Sequence, residues 1–339
     1  MSLAVIGWVV LNSLWQWTLV AGVTALAASL VRDRHPSVRY LVEIAGFAAM
    51  LLMSAATLIT ANQASAASLQ FRMTSATSGA FIVPDLVPWG HTVLRVAGLA
   101  WIAGAAICVA RLAAAFRRAR TLRSVGLTDL PRSVRAEVVT LQRELAVDRP
   151  VEVSGSTRAS VPMLLGWRRP LILVPQHAAR TLAADQLRAV LAHELGHVRR
   201  RDDVANLIQV GADVLVFHHP AARWVSRRIR TEREYSCDDI AVAAVRDARV
   251  YARALAAIED GREGCRVAVA AASGTLLDRI QRILGAPRRM LTVTRGTFVL
   301  VVCALVSAAI LAALINVPPP SVPSGVRMRR PMPQTVPGS

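Results

Sequence analysis

Two histidines four residues apart flank a glutamate in the run His193-Glu194-Leu195-Gly196-His197. On a helix, residues i and i+4 stand one above the other on the same face. Two imidazoles so placed can share a Zn²⁺, and Glu194 then lies beside the metal's open position. There its carboxylate can take a proton from water at the metal and return it to the leaving amine of a peptide bond. The stretch 186–198 is rich in Leu, Ala and Val and holds no proline, so it is expected to be helical. Only Gly196 weakens that helix, by roughly 1 kcal/mol relative to Ala. The competing reading is a pair of surface histidines on an ordinary helix, and features downstream weigh against it.

A two-histidine helix needs a third protein ligand. The best candidate lies on a helix expected to begin after Pro220, in the segment 230–239. Glu234 and Asp238 are four apart there and share a face. Glu234 can ligate the metal while Asp238, one turn on, accepts the free N–H of a liganding histidine and fixes its tautomer. Glu232 and Asp239 fall on other faces and are expected to be solvated. His218 and His219, before Pro220, are expected to cap or pack rather than to ligate.

The elements that must position these residues belong to a membrane protein. Of the 339 residues, 54% are hydrophobic and only 18% charged, a balance too apolar for an ordinary soluble enzyme. The net charge of +18 comes wholly from arginine, because the chain has no lysine. Most arginines flank apolar stretches, as the positive-inside rule requires, and no reading helix is recognisable, so direct nucleic-acid binding is not expected. The four cysteines, Cys108, Cys237, Cys265 and Cys303, form no C-x-x-C and indicate neither a disulfide framework nor a cysteine zinc site.

Apolar runs at about 4–30, 41–61 and 91–115 are each long enough to span a bilayer, with an external loop at 62–90 between the second and third. A mixed region at 116–295 has the charge density of a soluble domain. A charge-free fourth run covers 297–317, and a Pro-rich tail at 318–339 follows. Basic connections at 32–39, after 116 and before 297 put the mixed region in the cytosol and the tail outside. The fold class expected is therefore a mainly α membrane protein: four transmembrane helices with a cytosolic α+β zinc peptidase domain between the third and fourth. Within that domain 127–148 reads as helical. Strands are expected at 151–153, 161–165 and 171–175, where they either simply pack the helix or, as an edge strand does in many metalloproteases, hold substrate backbone extended past the metal. The apolar stretch 202–217 is too short to span and is expected against the bilayer surface or the helix bundle.

His193-Glu194-Leu195-Gly196-His197, then Asp202 and Asn206, then Phe217-His218-His219-Pro220, then Arg233-Glu234-Tyr235-Ser236-Cys237-Asp238, with three spans before and one after, resemble the BlaR/MecR-type family of integral-membrane zinc metallopeptidases. A looser likeness exists to HtpX/CAAX-protease-type gluzincins, whose third-ligand segment has Ala-Asp where this chain has Cys-Asp. The family resemblance implies a gluzincin fold, with Zn²⁺ on His193, His197 and Glu234 and Glu194 as catalytic base. It also implies a multi-pass protein of the bacterial inner membrane that turns an external signal into cytosolic cleavage of itself or of a winged-helix repressor. Antibiotic-sensing members carry a penicillin-binding domain with Ser-x-x-Lys after the fourth span. The short lysine-free stretch here is not expected to acylate β-lactams.

The function expected is thus a membrane zinc endopeptidase, with the lipid bilayer and a peptide or protein as partners and an oligomer allowed. Arg233 and Tyr235 are the candidate oxyanion donors, and 261–274 a candidate site of self-cleavage. The alternatives are a non-catalytic transducer with a structural zinc site and an HtpX-like quality-control protease. A structural site has no use for a general base at Glu194.

Overall fold

The computed structural model describes residues 3–31, 33, 35–77, 88–261 and 276–285. It is mainly helical, with one small sheet. Three long helices come first: α1 (Leu3–Leu30), α2 (Pro36–Thr77) and α3 (Pro88–Ser124). Each contains a stretch long and apolar enough to cross a membrane, Leu3–Leu30, Pro36–Ala61 and Thr92–Ser124. α1 and α3 touch backbone to backbone, since a Cβ placed on Gly7 would lie 1.9 Å from the carbonyl oxygen of Leu94. α2 does not end at 61. It runs on to Thr77, and α3 begins at Pro88, so helix occupies much of the stretch expected to be loop. The fourth apolar run at 297–317, the tail and, beyond Gly261, the stretch proposed for self-cleavage lie outside the described residues.

The mixed region opens with β1 (Leu127–Thr128), then α4 (Arg132–Glu144), β2 (Glu152–Ser156), β3 (Met163–Leu165) and β4 (Leu171–Pro175). The helix expected at 127–148 is therefore shorter. Leu127 and Thr128 pair with β2, and Pro131, which lacks an N–H, sits at the N-cap of α4. The sheet order is β1-β2-β4-β3, with β2 and β4 parallel and the two outer strands antiparallel to their neighbours. All five residues of β4 are buried, which fits its apolar sequence at the centre of the sheet.

The remaining helices are α5 (Gln176–Thr181), α6 (Ala184–Arg199), α7 (Asp202–Val216), α8 (Pro220–Val245) and α9 (Ala248–Asp260), and a helical segment follows at 276–283. α6 is enclosed. Leu187, Leu191 and Leu195 pack with Ile172 and Val174 of the sheet and with Val134, Val138 and Leu141 of α4. Ala189 and Val190 meet Tyr251, Ala254 and Leu255 of α9. Gly196 faces α8, where an added Cβ would lie 3.2 Å from Ile240 Cδ1 and 3.4 Å from Cys237 Sγ. The residue that weakens the helix locally thus allows the two helices to approach closely.

α7 and α8 form a hairpin whose tip packs against the long helices, deciding between the two expectations for 202–217 in favour of the bundle. Trp17 and Ala21 of α1 and Phe47 and Met50 of α2 share a buried cluster with Val216, Ala222, Val225 and Ile229. Trp101 of α3 donates to the Leu215 carbonyl at 3.3 Å. His219 caps α8 by accepting from the Ala222 N–H at 3.3 Å, and its Nε2 lies 2.9 Å from the Leu14 carbonyl. His218 meets Ser13 Oγ at 3.1 Å. His219 therefore caps and His218 packs, as their position before Pro220 suggests.

Candidate metal centre

α6 starts with Asp185 in its first turn and with the Gln186 side chain accepting from the Ala183 N–H at 3.0 Å, which satisfies one of the helix's orphan donors. Its last turns carry His193 and His197 on one face. Their Nε2 atoms lie 3.2 Å apart. α8 brings in Glu234, whose carboxylate oxygens lie 3.5 Å from His193 Nε2 and 3.7 Å from His197 Nε2. An ion bound tetrahedrally at the usual Zn–N and Zn–O lengths needs ligand atoms about 3.3–3.5 Å apart. The three donors fit such an ion. His197, Asp202 and Cys237 also lie close enough to form a metal-capable group, but that group would use the other nitrogen of His197.

That other nitrogen already has a partner. The backbone turns sharply at Arg201, which adopts a left-handed φ of 57°, and this returns Asp202 at the start of α7 to the end of α6. Asp202 Oδ2 lies 2.9 Å from His197 Nδ1, and Cys237 Sγ lies 3.3 Å from the same nitrogen. On the other ring, His193 Nδ1 lies 2.9 Å from the Tyr251 hydroxyl and 3.3 Å from Asp238 Oδ1. Tyr251 donates onward to Asp238 at 2.8 Å. With each Nδ1 engaged, the Nε2 atoms of both rings are the ones left facing Glu234.

Charge in the centre is balanced tightly. Burial pushes the His193 pKa down, but its hydrogen bonds to Asp238 and Glu234 outweigh that and raise it to about 9. Burial would raise the Glu234 carboxyl, yet the His193 hydrogen bond and the charges of His197, His193 and Arg279 bring it to about 2. Burial likewise opposes ionisation of Asp238, and His193 and Arg279 hold it well below the usual carboxylate range. Arg279 comes from 276–283. It donates to both Asp238 oxygens, from Nε at 3.1 Å and Nη2 at 2.6 Å, and its Nη1 lies 3.5 Å from Glu234. Burial also raises the Cys237 thiol pKa.

Beside these groups is a cavity of about 450 Å³. Val161, Pro162, Met163 and Leu164, on and before the edge strand β3, form one side of it. His193, Glu194, His197 and Glu234 line it with them. Arg233 lines it too and donates to Asn206 Oδ1 at 3.2 Å. Tyr235 does not line it, and its ring lies under the Arg282 guanidinium at 4.8 Å.

Most of the residues singled out in the sequence thus converge, and one expectation is corrected. Glu232 is buried rather than solvated, because α2 presents Arg39 to it at 2.8 Å. Asp239 is partly exposed and paired with Arg282. Tyr251 and Arg279 were not legible as site residues. They lie 58 and 86 positions from His193 in no recognisable spacing, and only the docking of α9 and of 276–283 brings them in.

A family model described as BlaR1 peptidase M56 matches residues 12–283. The chain belongs to the BlaR1 peptidase M56 family. Peptidases of this family are metallopeptidases, generally zinc-dependent, and the family implies a membrane protein that transduces signals. Among curated relatives, the regulatory protein BlaR1 of Bacillus licheniformis is 30% identical over 99 residues, 29% of this chain and 16% of that protein. The methicillin resistance mecR1 proteins of Staphylococcus aureus and Staphylococcus epidermidis are each 23% identical over 140 residues, 41% of this chain and 24% of theirs. The matched stretch therefore spans a quarter or less of the length of those relatives.

Proposed function

We propose that this chain is an integral-membrane zinc endopeptidase acting in transmembrane signalling. His193, His197 and Glu234 hold the ion and Glu194 is the general base. The observation that carries the reading is the convergence of three donor groups, with the two Nε2 atoms 3.2 Å apart and the two Glu234 oxygens 3.5 Å from one and 3.7 Å from the other, and with both distal ring nitrogens engaged. A zinc ion held there would supply Lewis acidity to a peptide carbonyl and to water. Glu194 lines the same cavity and takes up the proton released by attacking water, then delivers it to the amine that leaves. β3 is one of the two edge strands of the sheet among the described residues and flanks the cavity. Substrate backbone adds to it as a further strand, which holds the scissile bond extended past the metal. Arg233 is the better placed of the two oxyanion-donor candidates, since it faces the cavity and Tyr235 does not.

The domain carrying the site, 116–295, is cytosolic in this reading, and 297–317 is a fourth span. The arginine-rich connections favour that orientation in a bacterial inner membrane. The substrate is the chain itself, a cytosolic winged-helix repressor, or both. Zinc content and proteolysis on detergent-purified wild type and Glu194→Gln test the chemistry. The expected result is one equivalent of metal in both proteins, with cleavage reduced about a hundredfold or more in the variant. Metal in both with equal cleavage overturns the role of Glu194, and metal in neither overturns the centre.

A further inference from the structure

α8, which carries Glu234, packs on the first turns of α2, at the end nearest the α4–α9 domain, and the C-cap side chain of α6 reaches the same turns. Arg39 and Glu43 are one turn apart on α2, and Arg228 and Glu232 are one turn apart on α8. They pair crosswise. Arg39 Nε donates to Glu232 Oε2 at 2.8 Å and its Nη2 lies 2.8 Å from the same oxygen, and Arg228 donates to Glu43 Oε1. Arg39, Glu43 and Glu232 are 4%, 0% and 5% exposed, so solvent screens the Arg39–Glu232 pair little, while the Arg228 side chain is one-third exposed. Glu234 lies two residues beyond Glu232, on the face turned to His193 and His197.

The order of charges fixes the axial register of the two helices. If α8 slid one turn along α2 in one direction, Arg228 would face Arg39. In the other direction Glu232 would face Glu43. Either slide buries like charges together and leaves a charge without its partner, which is strongly unfavourable. A slide of one turn is about 5.4 Å and would carry Glu234 out of reach of both histidines. A second route ties α6 to the same turns. Arg200, the C-cap of α6, donates to Ser37 Oγ at 3.3 Å, lies 5.3 Å over the Tyr40 ring, and reaches Asp202 Oδ2 at 3.4 Å. Asp202 in turn holds His197.

We infer that residues 37–43 of α2 are a positioning element for the metal centre. Arg39 and Glu43 set where Glu234 stands relative to the two histidines, and a displacement of α2 changes the ligand geometry directly. The inference rests on the zinc reading above. Neither Arg39 nor Glu43 touches substrate or metal, so the readout must follow the ligands rather than turnover alone.

The test uses the full chain in detergent, stripped of metal and titrated with cobalt(II), whose visible absorption reports ligand geometry. Three forms are compared with wild type: Arg39→Glu, the swap Arg39→Glu with Glu232→Arg, and the neutral pair Arg39→Met with Glu232→Gln. The single variant is expected to weaken cobalt binding about tenfold and alter the spectrum, in the lower range for partners that orient metal ligands. The swap is expected to restore both. If the single variant fails to fold, the neutral pair decides, because it buries no unpaired charge. Folded neutral-pair protein with wild-type affinity and spectrum overturns the inference. So does a single variant that folds and binds as wild type does. A wild type that takes up no cobalt overturns the zinc reading itself, a different failure recognisable before any variant is compared.

Discussion

His193 sits between two carboxylates, Asp238 on its Nδ1 side and Glu234 on its Nε2 side, and they favour its protonated form strongly enough to raise its pKa to about 9. A metal ion and that proton compete for one lone pair, since a liganding imidazole must be neutral. At pH 7 the metal-free protein therefore carries the proton, and zinc must displace it. Between pH 9 and 7 the neutral fraction of His193 falls about tenfold per unit, and apparent zinc affinity should fall with it. Glu234, at about 2, stays ionised across this window and adds no slope. Calorimetric titrations at pH 7 in two buffers of different ionisation enthalpy should show close to one proton released from this site per zinc bound. No buffer dependence, or an affinity flat from pH 7 to 9, would mean that the carboxylates do not hold that proton.

Among the elements, what was legible in the sequence were the contacts made within one helix. The i, i+4 spacing of His193 with His197 and of Glu234 with Asp238 depends only on helical geometry, so the faces were readable before any packing was known. The strand 171–175 was readable because it is a continuous apolar run closed by Pro175. Contacts between distant elements were not. Glu232 looked like an exposed charge because nothing in its own helix announces that Arg39, 193 positions away, will bury it. Arg279 is the clearest case, since it docks 276–283 onto Asp238, a residue that is 0% exposed. Removing one member of a buried pair typically costs about 3–5 kcal/mol, whereas a surface pair contributes about 0–1 kcal/mol. Arg279→Ala should therefore lower the thermal midpoint in detergent by several degrees. Arg282→Ala, which breaks a pair with the partly exposed Asp239, should change it little. Equal midpoints for the two variants would show that Arg279 does not anchor the segment.

At the scale of the whole molecule, the peptidase elements and the long helices are interlocked rather than stacked. Three measurements along the chain agree on how far the tip of the α7–α8 hairpin reaches. Leu14, which meets His219, is 16 residues from the domain-facing end of α1. Met50, which packs with Val216 and Ala222, is 14 residues from the start of α2. Trp101, bonded to Leu215, is about as far from the basic end of the apolar run in α3. At 1.5 Å per residue each gives about 20–24 Å, well past the middle of a hydrocarbon core about 30 Å thick. On α7, Ile208 is 69% and Leu215 48% exposed, and α3 likewise exposes Val96, Leu99 and Ile107. Leu215 lies at that tip and Ile208 about 10–12 Å nearer the domain, and this apolar face is expected to lie against hydrocarbon. With Cys108, Cys265 and Cys303 changed to Ser, the buried Cys237 with its raised thiol pKa should react slowly and serve as background. A cysteine at Ile208 should then resist a charged, water-soluble maleimide in lipid nanodiscs, while one at the exposed Val139 of α4 is labelled readily. A spin label at Ile208 should be relaxed by oxygen dissolved in lipid and not by an aqueous nickel chelate. Equal maleimide labelling at the two positions would place the hairpin in water, and the metal centre at its base would then sit clear of the membrane surface.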